Sequence, residues 1–340
     1  MASNTPHQPF RFDGEVAIVS GAGSRMAGEI GNGRATAILL ARQGAKVALL
    51  DINVSWAEET KRMIDAEGGI SAVIRADATD ESSCKEAVAK TVELFGTVTI
   101  LVNVVGVGGA MGDATTLDLA AWERDMRINV TSMVLMVRHV VPEMRKIGRG
   151  AIVNVSSVSG LLGGNPSLLY PTSKGAIIQM TRAMAAQHGT ENIRVNCVCP
   201  GMVYTPVSFG LAVVEFLFLV LSVLFSPDDL FALLETHSLT EPIPSDNTNS
   251  RATKMVRSRG MSDDLRQARI NQNMLKQEGT GWDVGYAILF LCSKEARWIT
   301  GLIMPVDAGT TAGKAVADRP ALAADVLAEQ MTGIPNKTEH

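Results

Sequence analysis

Short β-branched runs alternate with helical patterns along most of this chain, and that alternation restricts its fold more than any other feature. Runs at 15–20, 46–51, 71–77, 100–103, 150–157, 192–201 and 302–309 read as seven strands. Helical periodicity fills most of the intervals, at about 33–43, 55–67, 80–95, 118–147, 169–188 and 282–292. In the first of these helices Ala35, Ile38, Leu39 and Arg42 share one face. Strand followed by helix, repeated, requires a parallel sheet with crossover helices. The run "VALL" at 47–50 is apolar on both faces, as a strand in a sheet covered on both sides must be. The expectation is an α/β fold, one doubly wound domain over 13–312 with a seven-stranded parallel sheet and helices on both faces. Residues 1–12 and 313–340 read as tails.

Composition narrows the function class. The net charge is −4 and no basic tract is long enough to suggest nucleic acid. The opening "MASNTPHQPFRFDG" is polar, without the apolar centre of a signal peptide, so a cytoplasmic protein is expected. Cys84, Cys197, Cys199 and Cys292 fit neither a zinc spacing nor a disulfide framework, and no metal site is expected. Cys197 and Cys199 alternate within a strand and read as buried thiols.

Two constellations carry chemistry. The first strand leads into "SGAGSRMAGEIGNGRATA" (20–37), whose Gly21, Gly31 and Gly33 stand between a strand and a helix. Glycines there let the backbone approach a pyrophosphate, whose charge the helix N-terminus favours. Asp51 closes the second strand 18 residues after Gly33, near the usual interval for an acid that binds a ribose 2′-hydroxyl. This is the pattern of a Rossmann-type dinucleotide site. The second constellation is "VNVSSVSGLLGGNPSLLYPTSKGA" (153–176). Tyr170 and Lys174, four apart, share a helical face. A phenol ionises only near pH 10 unless a nearby cation favours the phenolate, and a lysine ammonium does so. Ser157, thirteen residues before Tyr170, lies just past a strand and can bond a substrate oxygen at the same point.

Taken together these residues resemble the short-chain dehydrogenase/reductase family over about 13–206 and 255–312. The resemblance implies a catalytic group of Asn129, Ser157, Tyr170 and Lys174. In it Tyr170 exchanges a proton with the substrate oxygen and Ser157 orients that oxygen. Lys174 holds the nicotinamide ribose and lowers the tyrosine pKa, while Asn129, within "RINVTS", supports a water relay. By the same resemblance Asp77 contacts the adenine and Asn103 opens the family's N-N-A-G motif. Val203 and Thr205 of "PGMVYT" lie beside the nicotinamide, and the "WITGLIMPVDAGT" ending also fits. The family's activity is reversible hydride transfer between a nicotinamide cofactor and a secondary alcohol or ketone, here a small and hydrophobic one by the apolar loop "LLGGNPSLL". Asp51 favours NAD over NADP, although Arg25 stands where NADP-using relatives carry a basic residue. The apolar stretch "MVLMVRHVV" (133–141) and the following helix predict a homodimer or homotetramer. Alternatives are a repurposed cofactor-binding sensor or scaffold, a guide for non-redox cyclisation, or a reductase anchored in a membrane through 207–225.

The chain departs from the family at three places. From Gly21 to Gly33 is twelve residues, where T-G-x-x-x-G-x-G has six, so the turn is lengthened by about Arg25–Ile30. Enoyl reductases of the wider superfamily also carry a longer turn, but their tyrosine–lysine spacing is larger than in "YPTSK". "NVVG" (103–106) replaces N-N-A-G, which predicts a local repacking with cofactor binding kept. The third departure is a 48-residue segment, 207–254, whose first part, "VSFGLAVVEFLFLVLSVLF", is long and apolar enough to span a bilayer but for Glu215. It reads as a membrane anchor, as an enlarged substrate lid, or, our preferred expectation, as a translated intron. Its leading Val-Ser can be encoded with GT and its final Lys with AG, and without it "PGMVYTPMVRSRGMSDDL" is an ordinary lid.

Overall fold

Side chains along a strand point alternately to the two faces of a sheet, and here each face receives its own apolar set. In this computed structural model residues 8–25, 28–203 and 263–313 are described. Strand β1 (Val16–Ser20) sends Ala17 and Val19 to one core and Val16 and Ile18 to the other. Strand β2 (Lys46–Asp51) likewise divides Val47 and Leu49 from Ala48 and Leu50. The remaining strands are β3 (Ile70–Arg75), β4 (Ile100–Asn103), β5 (Gly150–Val155), β6 (Ile193–Pro200) and β7 (Ile303–Val306). All seven run parallel in the order β3-β2-β1-β4-β5-β6-β7.

Helices cover both faces. The first core holds α1 (Asn32–Arg42), α2 (Val54–Ala66) and α8 (Gly281–Cys292). The second holds α3 (Glu81–Phe95), α5 (Ser132–Ile147) and the end of α6 (Leu169–His188). Two further α-helices among the described residues are α4 (Leu119–Met126) and α7 (Asp263–Ile270). The expected helix over 118–147 is continuous, but a wide π turn at Arg127–Thr131 joins α4 to α5.

Three expectations change. Helix α1 is buried over all of Gly33–Ala41, Arg34 included, because the sheet, α2 and α8 enclose it, so its one-face reading was too narrow. Arg42 alone turns outward, over the Trp282 ring at 5.0 Å. The N-terminal tail is shorter than 1–12: Phe12 is buried and its N–H donates to the Gln43 carbonyl at 2.8 Å. Most of the apolarity of α5 is also used up within the chain, since Met133, Leu135, Met136, Val137, Val140 and Val141 are buried there, while Val134 stays exposed. Among the described residues no helix is long and apolar enough to cross a membrane, and 207–254 lies outside them.

Candidate active site

Successive crossovers leave β1 for one side and β4 for the other, which opens a crevice at the carboxyl ends of these two neighbours. A cleft of about 800 Å³ occupies it. Its floor is the glycine turn after β1. Gly21 takes a φ of +78°, in the region glycine tolerates, with the Val105 backbone close against it. At Gly33 any Cβ would lie 1.9 Å from the Gly21 carbonyl oxygen, so α1 can start this close to β1 only with glycine there.

Gly31 caps α1 with no side-chain bond, and the first turn of the helix carries no acid. The start of α1 therefore presents unfilled N–H groups and a positive dipole end to the cleft. Beside it the buried Ser24 hydroxyl and the Asn32 side-chain Oδ1 have no hydrogen-bond partner among the described residues. Open backbone donors and an orphan hydroxyl suit the pyrophosphate of a dinucleotide, so the residues present fit such a cofactor. Asp51 closes β2 in the cleft wall, where Oδ2 accepts from the Gly23 N–H at 3.0 Å and Oδ1 from the Asn53 N–H at 2.9 Å. Asp77 also lines the cleft, with Oδ1 accepting from the N–H and the hydroxyl of Thr79.

The catalytic candidates gather at the other end. Ser156 Oγ donates to the Lys174 carbonyl at 2.7 Å, which pins α6 to the end of β5. Gly160 packs so tightly on α6 that a Cβ would lie 2.6 Å from the Lys174 carbonyl carbon, so the segment carrying Ser157 lies directly against the helix carrying Tyr170. Ser157 Oγ accepts from the Ser159 N–H at 3.2 Å and keeps its own proton to donate. Lys174 is 5% exposed; its ammonium lies 5.7 Å from the Tyr170 ring centre and donates to the Val155 carbonyl at 3.3 Å. Ser157, Tyr170, Lys174 and Val203 all line the cleft.

Two candidates stand behind the wall. Asn129, in the π turn, accepts from the Val107 N–H at 2.8 Å and donates to the Val107 carbonyl and to Ser173 Oγ, both at 3.0 Å. It thereby ties the loop after β4 to α6 rather than lining the cleft itself. Asn103 donates to Asn154 Oδ1 at 2.9 Å, across the paired strands β4 and β5, and its own Oδ1 has no partner among the described residues. In the segment after Asn103, Val104 and Val105 face the cleft. Thr205 lies outside the described residues. Sequence reasoning missed Trp56, which lines the cleft against Gly23, and Arg269 of α7, which lines its mouth. Neither belongs to a motif; only folding brings them there.

A family model described as short chain dehydrogenase matches residues 15–211, more than half of the chain, and one described as Enoyl-(Acyl carrier protein) reductase matches 250–311. The second match contains none of the tyrosine–lysine constellation, and residues 212–249 fall between the two. The chain is 30% identical over 302 residues to 2-(S)-hydroxypropyl-CoM dehydrogenase 3 of Xanthobacter autotrophicus, covering 89% of this chain and 98% of that protein. It is 31% identical over 306 residues to (+)-borneol dehydrogenase 2 of Salvia officinalis, covering 89% and 91%. A solved structure of 7 alpha-hydroxysteroid dehydrogenase, complexed with NADH and 7-oxo glycochenodeoxycholic acid, superposes with a TM-score of 0.67 at 27% identity, covering 88% of this chain and 96% of that one.

Proposed function

This chain belongs to the short-chain dehydrogenase/reductase family and is an oxidoreductase acting on CH–OH groups, and from that premise we propose that it interconverts a secondary alcohol and a ketone with Tyr170 as its acid/base. The observation that carries the proposal is the buried Lys174 ammonium, 5.7 Å from the Tyr170 ring centre in the cleft that Ser157 also lines. A bound nicotinamide dinucleotide supplies the hydride acceptor or donor. In the oxidative direction the Tyr170 oxygen, as phenolate, takes the proton of the substrate hydroxyl, and in the reductive direction the Tyr170 hydroxyl gives its proton to the carbonyl oxygen. The Lys174 ammonium lies beside the Tyr170 ring, and Ser157 donates a hydrogen bond to the same substrate oxygen. Asn129 keeps the loop after β4 and helix α6 in register. The cofactor is held by Gly21, Ser24, the start of α1, Asp51 and Asp77. Asp51 disfavours a 2′-phosphate, which makes NAD the preferred form.

Replacing Tyr170 with phenylalanine removes one oxygen and leaves the ring on Lys174. Turnover should fall by about a hundredfold or more while cofactor affinity stays, the usual contribution of a positioned acid/base. Nicotinamide absorbance over a panel of ketones and alcohols reads the first quantity and calorimetric titration the second; near-normal turnover would remove Tyr170 from the mechanism. We further propose a homodimer or homotetramer, supported by the apolar side chains that stay outside: Val134 of α5 is 40% and Trp298 91% exposed. Light scattering on the eluting protein should give two or four chain masses, and a single mass would exclude self-association.

A further inference from the structure

The glycine turn is six residues longer than the T-G-x-x-x-G-x-G spacing, and a longer loop costs more entropy to order around a ligand unless something holds it beforehand. One buried side chain reaches both of its arms. Arg34, in the first turn of α1, is fully buried at 0% exposure. Its Nη1 donates to the Glu29 carbonyl at 2.6 Å, and its Nη2 donates to Glu59 Oε2 at 2.7 Å and to the Trp56 carbonyl at 3.2 Å. Glu59 Oε1 in turn accepts from the Gly28 N–H at 2.6 Å. On the opposite side Arg34 Nε donates to Thr60 Oγ1 at 3.0 Å, and that hydroxyl donates to the Ala22 carbonyl at 2.8 Å. The early arm at Ala22 and the late arm at Gly28 and Glu29 therefore meet at one guanidinium.

Helix packing does not account for this arrangement. Only the bond to the Trp56 carbonyl ends on the α2 backbone, while the other three lead to the turn directly or through one side chain. A buried guanidinium is costly to desolvate unless its donors are filled, and here the groups that fill them shape the cofactor floor. Burial pushes the Glu59 carboxyl up, and the Gly28 N–H and Arg34 more than reverse this, so it ionises below its ordinary range. Between the two tethered arms lies Ser24, 6% exposed, in the cleft wall with its hydroxyl unpartnered among the described residues.

We propose that Arg34, acting through Glu59 and Thr60, is a positioning residue that presets the lengthened turn, so that Ser24 and the start of α1 meet the cofactor phosphates already ordered. This rests on the dinucleotide reading above. Arg34 and Glu59 touch no reacting atom, so they should govern cofactor affinity and not the rate of the bound complex.

The test is calorimetric titration of the full chain with NAD and with NADP, beside melting temperature and kcat at saturating cofactor. Glu59→Ala should raise the cofactor Kd about tenfold or more, the scale of a lost charge-assisted bond, with kcat little changed. The double replacement Arg34→Met with Glu59→Met removes the buried charges together and should recover the melting temperature. Its Kd should stay raised, whereas a pair that merely joins two helices would recover both. The isosteric Glu59→Gln covers the case in which that variant does not fold: its Kd should rise and tryptic cleavage after Arg25 should quicken. An unchanged Kd in Glu59→Ala or Glu59→Gln, or full recovery of affinity in the double variant, would overturn the inference alone. Wild-type chain that bound neither dinucleotide would overturn the cofactor reading with it.

Discussion

Asp51 shows how one side chain serves two ends. Its carboxylate faces the cleft, where we propose that it selects the cofactor, and also accepts from the Gly23 N–H, so it shapes the floor. Asp51→Ala should weaken NAD about tenfold, because a free ribose hydroxyl and a turn N–H both lose an acceptor. It should also lower the preference for NAD over NADP, since repulsion of a 2′-phosphate is relieved. Steady-state comparison of the two cofactors checks this, and an unchanged ratio would assign the choice to the lengthened turn. At this scale the sequence placed Ser157, Tyr170 and Lys174 together, and all three line the same cleft. Ser157, Tyr170 and Lys174 were legible because a helical four-residue spacing and a strand end leave little freedom in where they point. Asn103 and Asn129 were legible as special but not as buried supports, because hydrogen bonding to Asn154 and Val107 depends on strand register and a π turn.

Among the elements, α8 does more than cover the sheet. Thr280 and Asp283 cap its start, Asp283 Oδ2 accepting from the Thr280 N–H and hydroxyl at 2.7 Å each, and Gly281 then packs against the end of the glycine turn. A Cβ on Gly281 would lie 2.6 Å from the Ile30 carbonyl oxygen and 2.9 Å from Gly31, all backbone that cannot swing aside. Gly281→Ala should therefore cost about 1–3 kcal/mol by overpacking, despite the better helix propensity of alanine. Because the atoms displaced are those of the turn and the α1 cap, cofactor affinity should fall with the melting temperature. A variant that loses stability and binds cofactor normally would separate α8 from the site. Elements were read to within a few residues wherever apolar periodicity was strong, as in α6 at 169–188. The short α7 was not read, because its Asp263–Ile270 segment carries little apolar pattern.

For the whole molecule, the seven strands in the order β3-β2-β1-β4-β5-β6-β7 form one parallel sheet, and the cleft sits where that order turns about β1 and β4. The two family matches stop at 211 and resume at 250, which places an unmatched stretch within 207–254. We propose that residues 207–254 are a translated intron and that the working enzyme has 292 residues. Sequencing of the mature transcript should show 206 joined directly to 255, and the shortened chain should keep full activity. A transcript that encodes all 48 residues, with activity lost on their deletion, would instead make them part of the substrate lid.

Local patterns sufficed for the parallel sheet, its helices, the dinucleotide turn and the tyrosine–lysine pair, because each depends on neighbours within a few residues and on a fixed backbone period. Folding alone decided which polar groups meet across the chain. Arg34 reads as an ordinary helix residue, yet it lies wholly inside, bonded to Thr60 and Glu59 some 26 and 25 residues away. Such a contact leaves no period, since a buried charge takes its partners from whatever the packing brings near, and only the assembled layers state what that is.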